Sequence, residues 1–333
     1  MSQTPTSDLD YNLLESSIAQ YRYSNPEDSK LLDAKDRHIS TFTEYINNLE
    51  EQSVFIFNRS TVQDVRITTE KSKTQGKIEF FILSIKDEYK AEVMIKTSGT
   101  IQIGSEIETL LFSAQILSKK DGVYTVKFSE NVAYLISEYG KVPLPPYIKD
   151  DSSKYSDYKN EFSDGGFSVA SSTAGLHFSN KMIKQLENNG HRVFYLNLDI
   201  NLGTFKPINT DIIEDYKIHS ESYQIRSKDY EEILGLKKSG FKIVLVGTTV
   251  LRTLETVFTT GKLSGETNLF ITPGYQLNIG DYLITNFHAP KSSLLSIVQT
   301  IYGDNWRNLY DYAQKNNLQF LSFGDAVLFK MNE

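Results

Sequence analysis

The chain has 333 residues, a formal net charge of −7 at pH 7 and 12% aromatic residues. That length suits roughly two domains with a sizeable core, and a disordered chain would not carry so many aromatics. Cysteine is absent, which excludes a disulfide framework, cysteine-ligated zinc or iron–sulfur sites and thiol catalysis. The acidic balance excludes a uniformly basic nucleic-acid binder but not a local basic groove.

The opening residues, Met1-Ser-Gln-Thr-Pro-Thr-Ser-Asp8, lack the basic and apolar regions of a secretory signal. The most apolar run, Ile243–Val246, is too short to span a bilayer. The expectation is a soluble, cytoplasmic protein that does not bind membranes. Charge is uneven: −5 over residues 1–60, −1 over 61–140, +1 over 141–210 and −2 over 211–333. The middle stretch weakly favours an anionic partner, although solvated faces explain such swings better.

From Val62 to Tyr139 the texture is strand-like. Lys77–Leu83, Ala91–Ile95 and Val123–Phe128 are short, β-branched or aromatic, and separated by Gly, Asp, Ser and Lys. The pattern predicts a small antiparallel sheet or barrel. The Pro-rich Val142–Tyr147 ends the block, and the polar residues 149–165 read as a linker or surface loop. Beyond Gly165 the pattern becomes α/β. Ser179 is an N-cap for a helix over 180–189, Val193–Ile200 and Ile243–Val246 are strands, and a helix runs from the Gly247-Thr248-Thr249 turn to about Thr259. Tyr282–Phe287 is a further strand, followed by a helix through Ile301. Such strand–turn–helix units imply a mainly parallel or mixed sheet.

Three strand-end or helix-entry segments carry chemistry-bearing residues. Ser171–Ser179 has small residues and His177 before a helix, where free N–H groups favour anions; an ordinary helix-entry loop with a packed histidine accounts for it better on spacing alone. Val246–Arg252 has the glycine and hydroxyls of a ligand cradle, with Arg252 one turn into the helix; a well-capped helix is an equal reading. Thr285–Ser292 places Asn286, His288 and Lys291 at another junction. Convergence of the three on one crevice is the expectation, because ligands of open α/β sheets bind at the carboxyl ends of strands. His219-Ser-Glu221 offers a His–carboxylate pair for acid–base work, with too few ligands for a metal, or a capping role in its turn.

Taken together these segments resemble the S-adenosylmethionine:tRNA ribosyltransferase-isomerase family of queuosine biosynthesis. The stretches that carry the resemblance keep the family's order over residues 140–330: Gly140–Ile148, Ser172–Phe178, Leu202–Phe205, His219–Glu221, Val246–Thr249 with Arg252–Glu255, Thr267–Ile271 with Pro273–Tyr275, Leu283–His288 with Pro290–Ser292, and Phe323–Ala326. Leu9–Leu13 and Ile18–Tyr21 extend it toward the start of the chain.

The resemblance implies a mixed α/β fold: a discontinuous α/β domain (1–61 and 140–333) interrupted by an inserted antiparallel β-barrel (62–139). It implies transfer and isomerisation of the ribosyl moiety of S-adenosylmethionine onto 7-aminomethyl-7-deazaguanine at the tRNA wobble position, with release of adenine and methionine. S-adenosylmethionine is then a co-substrate, with no other cofactor and no metal. The partner is the anticodon stem-loop of a tRNA, and the protein is a monomer. Because the substrate amine attacks, no nucleophilic Ser or Cys is needed.

The residues implied for proton transfer are His177 first, then His219 and His288. Those implied for binding are Thr173, Gly175, Gly203, Thr204, Glu221, Thr248, Thr249, Arg252, Asn286, Lys291 and Asp325. The chain departs from the family pattern at polar positions. Glu27 and Lys30 stand where the family has arginines, Arg59 begins an altered stretch after Asn58, Ser172 replaces a proline and Asp199 a histidine. A relative that keeps the fold and binds S-adenosylmethionine, an adenine nucleoside or RNA without this catalysis is the alternative reading.

Overall fold

A computed structural model describes residues 3–149, 151–201 and 207–331. The chain divides into two compact units, Met1–Thr61 with Pro145–Glu333, and Val62–Leu144. The first unit begins with β1 (Lys30–Asp33), β2 (Ile39–Thr41), α1 (Phe42–Asn47) and β3 (Ser53–Asn58).

The second unit holds β4 (Arg66–Glu70), β5 (Lys77–Ile85), β6 (Lys90–Thr97), β7 (Glu106–Glu108), β8 (Ser113–Lys120), β9 (Val123–Phe128), α2 (Val132–Tyr139) and β10 (Gly140–Lys141). Its sheet runs β10-β4-β5-β6-β9-β8-β7. It curls, so that Ser72 N–H donates to Glu108 C=O and Leu110 N–H to Glu70 C=O, each at 3.0 Å. Phe80, Phe112 and Phe128 meet edge-on inside the curl. The strand-like reading stops short of Tyr139, since 132–139 is a helix. Asn131 accepts from the N–H groups of Ala133 and Tyr134, and Val132 and Leu135 bury one face. The Asn cap and this buried face end the strand-rich block in a helix.

The chain then continues with α3 (Asn180–Asn188), β11 (Arg192–Leu198), β12 (Glu221–Gln224), α4 (Ser227–Lys238), β13 (Lys242–Val246), α5 (Thr248–Thr260), β14 (Ser264–Thr267), β15 (Tyr282–Asn286), α6 (Ser293–Tyr302), α7 (Trp306–Lys315) and β16 (Ala326–Lys330). Ser179 caps α3 as expected, accepting from Met182 N–H at 3.2 Å.

These elements build a mixed sheet in the order β14-β12-β11-β3-β13-β15-β16-β1-β2. β11, β3, β13 and β15 are mutually parallel. Alternate side chains of these strands feed two cores. Val54, Ile56, Ile243, Leu245 and Leu283 pack on one face, with Leu251 and Leu254 of α5 and Val298 of α6. Phe55, Phe57, Val244, Val246 and Ile284 pack on the other, with Phe42 and Ile46 of α1 and Met182 and Leu186 of α3. Burial on both faces is why β3 and β13 read as continuous apolar runs rather than alternating ones. The carboxyl ends of the four parallel strands, at Asn58, Leu198, Val246 and Asn286, lie along one edge of the sheet.

Candidate active site

A cavity of about 280 Å³ opens at this edge, over β13 and β15. Thr173 lines it from the loop before α3, Thr248 and Thr249 from the start of α5, and Asn286 and His288 from the end of β15. Gly247 turns the chain from β13 into α5 at φ 100°, a left-handed conformation suited to glycine, and a Cβ there would come within 3.3 Å of Ser172 Oγ. Ser172 and Thr249 hydroxyls lie 3.4 Å apart beside that turn.

Two titratable side chains lie among the residues named as lining the cavity, His288 and Tyr147. His288 is buried, with Nε2 3.1 Å from Thr285 Oγ1. Its backbone is clamped, C=O accepting from Tyr11 Oη at 2.6 Å and N–H donating to Tyr310 Oη at 3.2 Å. Burial pushes its imidazole down to about 3, so it is neutral at pH 7. Burial pushes Tyr147 up to about 12, against the hydrogen bond between its hydroxyl and Ser322 Oγ at 2.7 Å. The cavity therefore offers a neutral imidazole, a neutral phenol and a row of hydroxyls.

His177 stands behind this lining and does not face the cavity. Its ring stacks on Phe42, and both nitrogens are occupied: Nδ1 by Ser29 Oγ at 2.8 Å, Nε2 by Asn286 Nδ2 at 3.2 Å. The network fixes the tautomer. Asn286 Nδ2 also donates to Leu321 C=O and Oδ1 accepts from Thr173 Oγ1 at 2.8 Å, so Nε2 is an acceptor. Ser29 donates to Pro26 C=O at 2.5 Å, so it receives the Nδ1 proton. Burial, with the Arg22 charge adding to it, pushes His177 down to about 3. Its place is to hold Asn286, which in turn holds Thr173.

Of His177, Arg252, His288 and Lys291, whose junctions were expected to converge, only His288 lines the cavity, together with Thr173, Thr248, Thr249 and Asn286 from the same segments. Arg252 turns into a separate small cleft with Glu221 and the exposed His219. Arg252 Nη1 is paired with Glu221 Oε2 in a buried ion pair, and its Nε donates to Leu269 C=O at 2.9 Å. Glu221 Oε1 accepts from Asn201 N–H at 3.0 Å. Lys291 points to Asp10, Nζ to Oδ2 at 2.9 Å, and is half-exposed. Asp325 is buried and ties chain segments together, accepting from Tyr23 Oη, Lys30 N–H and Gln319 N–H at 2.7–3.0 Å. Gly175 is a packing glycine, since a Cβ would meet Asn160 Oδ1 at 2.8 Å and the Phe162 ring at 2.9 Å. Gly203 and Thr204 lie outside the described residues.

Tyr147, Ser171, Ser172 and Ser322 line the cavity but were not among the candidates read from sequence. The motifs containing Tyr147 and Ser172 were visible in the sequence. What was missing was the side each residue faces. Among the described residues no group of three His, Asp or Glu side chains is placed to hold a metal, and no helix is long and apolar enough to cross a membrane.

A family model described as queuosine biosynthesis protein matches residues 6–329. The chain belongs to this family. The S-adenosylmethionine:tRNA ribosyltransferase-isomerase of Nitrosomonas europaea is 36% identical over 341 aligned residues, covering 97% of this chain and 96% of the relative. The protein of the same name from Francisella philomiragia is 35% identical, covering 97% and 98%. The crystal structure of an S-adenosylmethionine tRNA ribosyltransferase from Thermotoga maritima superposes with a TM-score of 0.54 at 28% identity, covering 97% of this chain and 99% of that one. Family membership therefore extends over the N-terminal stretch where the polar motif residues differ.

Proposed function

We propose that this member of the queuosine family is an S-adenosylmethionine-dependent tRNA ribosyltransferase-isomerase. It moves the ribosyl moiety onto 7-aminomethyl-7-deazaguanine at the wobble position, giving epoxyqueuosine-tRNA, adenine and methionine. The observation that carries this reading is the end-to-end match to relatives bearing that name. A match from residue 6 to 329 speaks against a relative that keeps only the fold.

S-adenosylmethionine occupies the cavity as co-substrate, with no metal or prosthetic group. Its sulfonium acidifies the neighbouring C5′ protons, and one must pass to a base; the departing adenine must gain a proton. Of the three candidate histidines only His288 faces the cavity, so it takes the proton-transfer role, and Tyr147 walls the nucleoside with its neutral phenol. Thr173, Thr248 and Thr249 supply hydroxyls to the ligand, and the first turn of α5 supplies N–H groups to an anionic end. Asn286 and His177 are positioning residues. Glu221 and Arg252 hold β12 against α5. The Val62–Leu144 unit is an inserted β-barrel domain, a reading supported by its curled sheet and its place between two halves of the other unit. The tRNA is engaged through its anticodon stem-loop by a cytoplasmic monomer.

The test is incubation with labelled S-adenosylmethionine and tRNA carrying the aminomethyl-deazaguanine. Stoichiometric release of adenine is expected. S-adenosylmethionine bound by calorimetry without adenine release would overturn the catalytic reading.

A further inference from the structure

A second concavity, an open groove of about 360 Å³, lies at the same sheet edge over the ends of β3, β11 and β12. Unlike the cavity, it is polar and charged. Arg59 follows β3, Asp199 follows β11, Gly165 and Gly166 come from the loop between them, and Gln224 closes one side. Asp199 uses one oxygen only. Its Oδ1 accepts from Ser60 Oγ and from Phe167 N–H at 2.8 Å, while Oδ2 accepts from none of the described residues. Gly166 lets the backbone pack against the engaged side of that carboxylate: at φ 75° a Cβ would come within 2.1 Å of Ser60 Oγ and 2.6 Å of Asp199 Oδ1. Arg59 is braced by Asp164 at 3.0 Å and lies over the Tyr195 ring.

The groove thus presents a carboxylate acceptor and a braced guanidinium donor among its lining residues. That pair is complementary to the edge of a guanine-type base, whose N1–H and exocyclic amino group donate and whose carbonyl accepts. The groove and the cavity lie over neighbouring strands of one sheet edge, the groove over β12, β11 and β3 and the cavity over β13 and β15.

We infer that this groove seats the acceptor base, with Asp199 as the residue that selects a guanine-type edge. The inference rests on the ribosyl-transfer reading for its choice of base. The probe is the full-length protein with two RNA hairpins of one anticodon stem-loop sequence, carrying guanine or inosine at the wobble position, compared by fluorescence anisotropy at a single salt concentration. Phosphate contacts cancel in that comparison. Loss of the exocyclic amino group is expected to weaken binding about tenfold, the size of one hydrogen bond to a charged acceptor. Asp199→Asn keeps the Oδ1 bonds and turns an N–H donor toward the groove. It is expected to bind both hairpins equally while calorimetry shows unchanged S-adenosylmethionine affinity. Gln224→Trp, which fills the exposed side of the groove, is expected to do the same and stands in if Asp199→Asn does not fold.

Equal binding of the two hairpins by the wild-type protein, or a preference that survives both substitutions, overturns the inference. Adenine release measured in parallel separates the two readings. An Asp199-dependent guanine preference without adenine release overturns the reaction and leaves the base seat. Release without any preference overturns the seat alone.

Discussion

The cavity over β13 and β15 and the groove over β3 and β11 share one sheet edge and differ in how they meet a ligand. The cavity is mainly apolar, its described titratable lining groups His288 and Tyr147 are held neutral by burial, and its polar side-chain atoms are mostly hydroxyls. The groove is open and carries opposite charges on adjacent strand ends. Burial makes charge costly in the first and tolerable in the second. Of the departures from the family pattern, Arg59 and Asp199 line the groove, Ser172 lines the cavity, and Glu27 and Lys30 line neither. Variants of the cavity are accordingly expected to change chemistry and cofactor-substrate binding, and variants of the groove to change RNA selection.

The sharpest break between the two comes from His288→Ala. Loss of a positioned proton-transfer group is expected to lower kcat by about 10²–10⁴, with the KM for tRNA within a factor of about three in steady-state adenine release. A large rise in tRNA KM instead would merge the two concavities into one site. Glu221→Gln removes the partner of a buried guanidinium in the separate cleft. It should destabilise the fold by about 3–5 kcal/mol in denaturant unfolding. Unchanged stability would show that Arg252 is free to serve a ligand.

Acid probes the buried histidines in and behind the cavity. His177 and His288 are held near 3 in the fold, against about 6.5 unfolded. Below pH 6.5 the unfolded chain binds more protons, so stability is full above that pH and falls toward pH 3. The slope is about 1.4 kcal/mol per pH unit for each histidine. His177→Phe should reduce the slope measured by denaturant unfolding between pH 6 and 4. Asn286→Ala leaves His177 Nε2 and the Thr173 hydroxyl without their partner. A cost of about 1–3 kcal/mol is expected, with weaker S-adenosylmethionine binding by calorimetry. Smallest of all, Lys291→Ala loses a half-exposed pair with Asp10 and should change stability by less than about 1 kcal/mol. S-adenosylmethionine affinity should not move; a tenfold loss would return Lys291 to the site.

Much of the fold was legible in the chain because its signals are local. The apolar runs at 243–246 and 282–287, the cap at Ser179 and the glycines after Val246 and Asn189 each depend on neighbours a few residues away. The helix at 132–139 was not legible, because it directly follows a strand-rich block and rests on one Asn cap and two buried side chains. Within the site, segments were easier to find than facings. The motif around His177 marked a loop that lines the cavity through Thr173 and not through the His177 ring. The ring is saturated by Ser29, 148 residues away in sequence, and by Asn286, 109 residues away.

By itself the sequence determined the family, the order of its motifs, the alternation of strand and helix, and the absence of thiol chemistry. These rest on residue identity and on periodicities of two and 3.6, which need no knowledge of what lies across the sheet. Only the tertiary structure decided that His288 rather than His177 meets the cavity, that Arg252 and Glu221 close on each other elsewhere, and that Arg59 and Asp199 share a groove. Each of these is a contact between strand ends that the chain reaches separately, so strand order and register decide it.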